Sequence, residues 1–220
     1  GLTRITGRVV DIDDSTYARD GVLSVNVYDS EREMVHRIVN SSGVVTQTVE
    51  YSVTGPTIYR GSATIAQGEF EFSFLPPLDI GYGGEGAKIS VYARFDGIDA
   101  AGIADSIAVS DTIASLVDSA GPAIEVAFVG RSNFASGDYI RADDRMRVTI
   151  TDSSGINLTG ALGHGITLEV DYRSENVVNL TSMFEANQDD YTTGSLIYQL
   201  DELSSGDHHF KIKAWDNANN

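Results

Sequence analysis

The sequence contains no cysteine in its 220 residues. This absence excludes disulfides, thiolate-bound zinc and a cysteine nucleophile within the chain. The fold must therefore be stabilised by its hydrophobic core, for which a hydrophobic fraction of 41% is sufficient. Proline is also scarce, with 4 residues against 22 glycines, so we expect the turns to rely on glycine, asparagine and aspartate.

Lysine is also scarce, and the sequence contains only Lys88, Lys211 and Lys213. The 15 lysines and arginines face 32 aspartates and glutamates, which gives a net charge of −17. Such a chain repels phosphate groups and anionic lipid, so we expect neither nucleic acid nor membrane insertion among its partners. Abundant aspartate with little lysine suits a salt-adapted source, and it equally suits an ordinary acidic extracellular protein.

The charge imbalance makes a first prediction about stability. Raising monovalent salt from about 0.01 M to about 1 M shortens the Debye length from about 30 Å to about 3 Å and screens the self-repulsion. We therefore expect the melting temperature to rise across this range, as measured by differential scanning calorimetry. A flat or falling trend would contradict the salt-adapted interpretation.

Long apolar runs are missing too, since none approaches the roughly 18 residues of a membrane-spanning helix. The chain shows no signal peptide, starts on Gly1 and ends on AWDNANN without a closing apolar segment. From both ends we expect an excised piece of a longer protein.

What the sequence does contain is a series of short alternating runs typical of β-strands. Leu23, Val25 and Val27 fall on one face of such a run. In the run GEFEFSF, Phe70, Phe72 and Phe74 fall on one face of another strand. The charged stretch 29–37 is expected to be a loop. We predict an all-β fold of two consecutive β-sandwich domains, 1–118 and 119–220, the second immunoglobulin-like.

Four blocks of sequence carry a resemblance to a known family. They are TIYRGSATIAQGEFEFSFLPPLDIGYGGEGAKISVYARF, DSSGIN, GHGITLEVD and YTTGSLIYQLDELSSGDHHFKIKAWDNANN. In order and spacing, these blocks resemble the carboxyl-terminal, non-catalytic region of gingipain-type cysteine peptidases that act as type IX secretion sortases. The resemblance runs through most of residues 56–220.

This resemblance implies a role for the chain within a larger enzyme. The family's catalytic cysteine and histidine lie in a peptidase domain upstream, so no catalytic residue is carried over and the chain itself is not expected to be an enzyme. It implies a supporting module on the bacterial outer cell surface, next to the peptidase domain, in contact with secreted cargo or other secretion-system proteins. It also implies that the second domain is truncated at its carboxyl-terminal end.

A second function remains open on the sequence alone. The chain could be an adhesin or a glycan-binding stalk of the cell surface. In that case exposed aromatic side chains such as Tyr59, Tyr82 and Tyr139 would form the binding platform.

Three aspartates near strand ends or the domain junction are the candidate metal ligands. Asp118, Asp152 and Asp216 could together bind calcium, a hard cation that prefers oxygen ligands. The alternative, which we favour, is that each carboxylate accepts backbone N–H groups within its own turn. For Asp152 we expect such a cap on the turn that ends at Gly155. No other cofactor is expected.

The four histidines offer no clear metal site. His208 and His209 are adjacent on an expected strand, so their side chains would point to opposite faces. His36 falls in the expected loop. His164 lies between two glycines and is expected to hydrogen-bond a turn, while a ligand role would require a partner such as Asp152 or Asp171.

Overall fold

The computed structural model describes residues 1–81, 86–108, 118–131, 133–160, 163–173, 175, 177–200 and 203–220. Within these ranges the fold is all-β, and a 3-10 turn spans Thr181–Met183. The strands are β1 (Thr3–Arg8), β2 (Gly21–Tyr28), β3 (Arg32–Val39), β4 (Val45–Val53), β5 (Thr57–Ala66), β6 (Glu69–Phe74), β7 (Ala87–Arg94), β8 (Asp99–Ile107), β9 (Ala123–Phe128), β10 (Arg145–Thr151), β11 (Thr167–Val170), β12 (Val178–Asn179), β13 (Glu185–Asn187), β14 (Asp190–Gln199) and β15 (Phe210–Lys213).

The amino-terminal half is built around β2, which pairs antiparallel with both β5 and β7. Its residues Leu23, Val25 and Val27 are buried in the first hydrophobic core, as the alternation predicts. Strand β6 pairs with β1 and contributes Phe72 and Phe74 to the same core. The predicted aromatic face of β6 is therefore confirmed, and β6 also pairs with β5 within the ten-stranded sheet.

The carboxyl-terminal half has a second core between two sheets. Strand β10 pairs with β9 and β14, while β11 pairs with β12 and β15 in a separate three-stranded sheet. Met146, Val148 and Ile150 of β10 share the second core with Leu168 of β11. Two sheets with their apolar faces in one core form a sandwich, so the predicted all-β, sandwich-type fold is confirmed.

A continuous sheet joins the two halves. Strand β13 pairs with β5 in parallel through Ala186 and Gly61, which connects the strands of both halves in one ten-stranded sheet. The guanidinium of Arg60 on β5 also donates to the backbone carbonyl of Ser182 at 2.7 Å. The domain boundary at 118/119 and the immunoglobulin-like character of the second half stay predictions.

Strands β3 and β4 form a separate two-stranded sheet, which we call the β3–β4 hairpin. Every residue of both strands is exposed. The expected loop over residues 29–37 is wrong from Arg32 onward, and His36 lies on a strand. Charged residues interrupt the alternation of apolar and polar residues in β3, so the sequence does not predict a strand there. Its pairing with β4 makes it a strand.

No helix among the described residues is long and apolar enough to cross a membrane.

Candidate functional site

The loop after β6 carries Asp79 into the carboxyl-terminal half. Leu78 donates its backbone N–H to the carbonyl of Asn217 at 2.9 Å, and the Asn217 side chain donates back to the carbonyl of Leu75 at 2.7 Å. These two bonds fix the loop against the last turn of the chain. They deliver the Asp79 carboxylate, whose side chain is only 8% exposed, into a polar pocket of the other half.

Three side chains of the carboxyl-terminal half surround the Asp79 carboxylate. Asn157 Nδ2 donates to Oδ1 at 3.1 Å, Thr159 Oγ1 donates to Oδ2 at 3.1 Å, and His164 Nδ1 lies 3.1 Å from Oδ2. The His164 ring also packs on the Trp215 ring with a centroid separation of 4.5 Å. We call Asp79, Asn157, Thr159 and His164 the junction cluster.

The structure gives the His164 ring a side-chain partner, whereas the sequence expectation was a hydrogen bond to a turn. The ring contacts Asp79, and not the Asp152 or Asp171 that a metal-ligand role would have required. The positive φ of Gly163, 86°, turns the chain just before the ring. Asp79 lies far away in the sequence and in no motif, so no local signal identifies it.

Asp118, Asp152 and Asp216 do come together in the structure. One carboxylate oxygen from each lies within 4.8 Å of the others. Asp152 and Asp216 are buried, and Asp118 is half-buried. Three carboxylates at this distance repel one another unless protons, hydrogen bonds or a cation compensate.

Each of these carboxylates also accepts hydrogen bonds in its own turn. Asp152 Oδ1 accepts the N–H of Ser154 at 2.7 Å, and Asp118 Oδ1 accepts the N–H of Ala120 at 3.1 Å. Asp216 Oδ1 accepts two N–H groups, from Ala218 at 2.9 Å and from Asn220 at 2.8 Å. The turn interpretation of the sequence describes these bonds, and calcium binding by the three aspartates stays a prediction.

The electrostatics of the three aspartates differ. Burial raises the pKa of Asp152, and the nearby charges of Asp216 and Asp118 raise it further against the opposing hydrogen bonds from Ser154. The pKa of Asp118 is lowered, mainly by the N–H of Ala120. Asp152 therefore takes up a proton more readily than Asp118.

Replacing Asp152 with alanine tests its role as a turn cap. The carboxylate accepts both the N–H and the hydroxyl of Ser154, and Gly155 completes the turn with a φ of 79°. We expect a loss of about 1 kcal/mol in unfolding free energy, similar to the loss of a helix cap. Urea denaturation measures it, with Asp152→Asn as the control that keeps an acceptor. An unchanged or increased stability would contradict the cap.

The structure places His208 and His209 outside the strand on which the sequence analysis expected them. His208 and His209 lie just before β15 and not on it, so the strand argument about their opposite faces does not apply. His208 contacts Asp171, with 2.8 Å between Nδ1 and Oδ2. The His209 ring packs on Tyr172, with a centroid distance of 5.0 Å.

The β3–β4 hairpin presents an apolar surface to solvent. Met34 and Tyr51 are directly opposite each other, and side chains alternate faces along a strand. One face therefore carries five large apolar side chains with exposed fractions of 37–45%: Met34, Ile38, Val49, Tyr51 and Val53. A contiguous exposed apolar surface of this kind is typical of interaction sites.

The charge of this hairpin contrasts with that of the chain. Its residues 32–53 contain two arginines and two glutamates, whereas the whole chain has a net charge of −17. An acidic partner is therefore repelled less at the hairpin than elsewhere on the protein.

The chain is similar in structure to a known secretion-system protein. No family model and no curated protein matches the chain. Among solved structures, the chain is similar to dimeric latent PorU from Porphyromonas gingivalis, with a TM-score of 0.50 and 26% sequence identity. The similarity covers 100% of this chain and 21% of the PorU chain, so the chain spans about a fifth of that protein's length. The chain has a PorU-like fold.

Proposed function

We propose that the chain is a non-catalytic β-sandwich module of a surface-exposed, gingipain-type cysteine peptidase of the type IX secretion system. In this role it supports the upstream peptidase domain. The observation that carries the proposal is the similarity to PorU, because it extends over the whole chain and agrees with the sequence resemblance.

The chemistry of the chain agrees with a supporting role. A peptidase of this class attacks with a thiolate, and the chain has no cysteine that could form one. The reaction therefore belongs to another part of the parent protein. The carboxyl-terminal half then corresponds to an immunoglobulin-like sandwich that extends the module outside the cell.

We assign the β3–β4 hairpin as the contact surface for the peptidase domain. An isolated two-stranded hairpin is marginally stable in water, and this one exposes five apolar side chains on one face. Docking buries that face, which stabilises both the hairpin and the complex. Its balanced charge also makes it the part of an acidic protein best suited to a close contact. Cargo or other secretion-system proteins then have the remaining surface available.

The alternative of an aromatic glycan platform is not favoured by any observation. Tyr59 is only 6% exposed and packs against both Phe72 and Phe74 in the first core, so its expected surface role is wrong. Tyr139 is 96% exposed, and Tyr82 lies outside the described residues.

The test uses the parent protein's peptidase domain and this chain as separate purified proteins. We expect them to bind, and we expect the triple variant Met34→Thr, Ile38→Thr, Val49→Thr to weaken the Kd about 100-fold or more. Three lost apolar contacts of about 1 kcal/mol or more each account for this factor. Isothermal titration calorimetry measures the Kd, and a peptide-cleavage assay should find no activity in the chain alone.

Ile103→Thr is the matched control, because Ile103 is 68% exposed on β8, which belongs to the ten-stranded sheet and not to the hairpin. It should leave the Kd unchanged. Equal weakening by Ile103→Thr would contradict the hairpin assignment alone. Absence of binding by the unmodified chain, or peptide cleavage by it, would refute the supporting role.

A further inference from the structure

His208 lies between two hydrogen-bond acceptors. Its Nδ1 is 2.8 Å from Oδ2 of Asp171, and its Nε2 is 2.8 Å from the backbone carbonyl oxygen of Ser204. A carbonyl oxygen and an ionised carboxylate can only accept. A neutral imidazole has a single N–H, so only the doubly protonated ring can donate to both acceptors at once.

We propose that His208 acts as a pH-dependent clamp. When protonated, its imidazolium ties the connection between β14 and β15 to the turn after β11. When the ring loses a proton, this connection is released at Ser204. The described part of this connection that precedes β15 is residues 203–209, and Ser204 lies within it. The clamp thus controls the segment that leads into β15, a strand of the three-stranded sheet.

Release occurs at Ser204 because the other contact is the stronger one. A neutral ring keeps its single proton on Nδ1, where the acceptor is a charged carboxylate. The Nε2 lone pair then faces the lone pairs of the Ser204 carbonyl oxygen 2.8 Å away, and this arrangement is repulsive. The ring and the carbonyl must therefore separate.

The Asp171 side of the clamp is fixed in place. Its Oδ1 accepts the backbone N–H of His209 at 2.9 Å, and its own N–H donates to the carbonyl of His209 at 2.8 Å. Asp171 and Tyr172 both have positive φ values, 57° and 55°, in the left-handed region that residues other than glycine adopt only rarely. Ser204, by contrast, is exposed, so its carbonyl oxygen can turn to water when it leaves the ring.

The charges around His208 favour its protonated form. The Ser204 carbonyl and then the Asp171 carboxylate raise the pKa of His208, and Asp207 adds to this effect. The pKa of Asp171 is lowered, first by the His209 N–H and then by His208, so Asp171 remains ionised. Arg173 also acts on Asp171, while Glu169 and Lys211 pair with each other on β11 and β15.

The direction of the pH dependence follows from the raised pKa of His208. The clamp is fully formed below the ordinary histidine pKa of about 6.5, and it is lost as the pH rises through the higher pKa of the folded protein. The protein is therefore clamped in mildly acidic surroundings and released in alkaline ones.

The test is an NMR titration of the full chain. Ring nitrogen shifts of His208 report its protonation, and backbone order parameters at Ser204 and Asp207 report the mobility of the connection. We expect both ring nitrogens to be protonated at about pH 6. We also expect the order parameters to fall over the same pH range in which the ring loses its proton.

Asp171→Asn provides the matched variant, because it removes the charge and keeps the shape. It should move the ring titration and the loosening of the connection together to lower pH. His36→Gln, on the β3–β4 hairpin, should change neither. A neutral His208 ring at about pH 6, or order parameters that stay constant while the ring titrates, would overturn the proposal.

Discussion

Replacing Asp79 with alanine should destabilise the protein by about 2 kcal/mol. The substitution removes an acceptor that Asn157, Thr159 and His164 share. Asn157 Nδ2 still donates to Asn219 Oδ1, and Thr159 Oγ1 still donates to Asn157 Oδ1, so the loss falls mainly on the nearly buried ring of His164. A buried polar group that loses its partner costs about 1–3 kcal/mol. For a chain of this size, the melting temperature should fall by roughly 6 °C. Calorimetry and urea denaturation measure the two quantities.

Two further variants make this test specific. Asp79→Asn keeps one acceptor oxygen and should cost less than the alanine variant. Asp143→Ala removes the same charge from a side chain that is 72% exposed, and we expect less than about 0.5 kcal/mol. If the alanine variants of Asp79 and Asp143 were equally stable, the junction cluster would contribute nothing to holding the halves together.

Substitution of Gly194 by alanine should have the other large effect. Gly194 lies on β14 opposite Ile150 on one side and Ala186 on the other. A Cβ at this position would come within 2.4 Å of the Phe184 ring, 2.5 Å of the Glu185 carbonyl oxygen and 2.8 Å of the Ala186 Cα. Two of these neighbours are backbone atoms of β13, so the strand must shift, at a cost of about 1–3 kcal/mol or more.

Gly121→Ala is the control for this substitution. A Cβ at Gly121 would meet its nearest atom at 3.5 Å, which is ordinary contact. Chemical denaturation should therefore find Gly121→Ala close to the unmodified protein and Gly194→Ala clearly less stable. Equal stability of the two variants would show that β13 can move away from β14 without loss.

The sequence predicts those parts of the fold that depend on local alternation. Leu23, Val25 and Val27 are buried as expected, because a strand with one buried face repeats its apolar residues at every second position. The same analysis does not predict strand β3. Both of its faces are exposed, so no burial imposes a pattern on its residues.

The candidate sites divide in the same way. The turn hydrogen bond of Asp152 to Ser154 is local and can be predicted from the order of residues. The contact between Asp79 and His164 joins distant segments, and neither residue lies in a motif that pairs it with the other. The acceptors of His208 could not be predicted from the sequence either, because one of them is a backbone carbonyl oxygen.

The parallel pairing of Gly61 with Ala186 has a consequence for how the protein is made. Strand β5 is synthesised long before β13, so its pairing with β13 is missing during much of translation. Closing a chain segment of this length is slow compared with forming a hairpin, and the open edge of β5 can recruit other chains meanwhile. The nascent protein therefore remains vulnerable to aggregation until its carboxyl-terminal half emerges from the ribosome and completes the sheet.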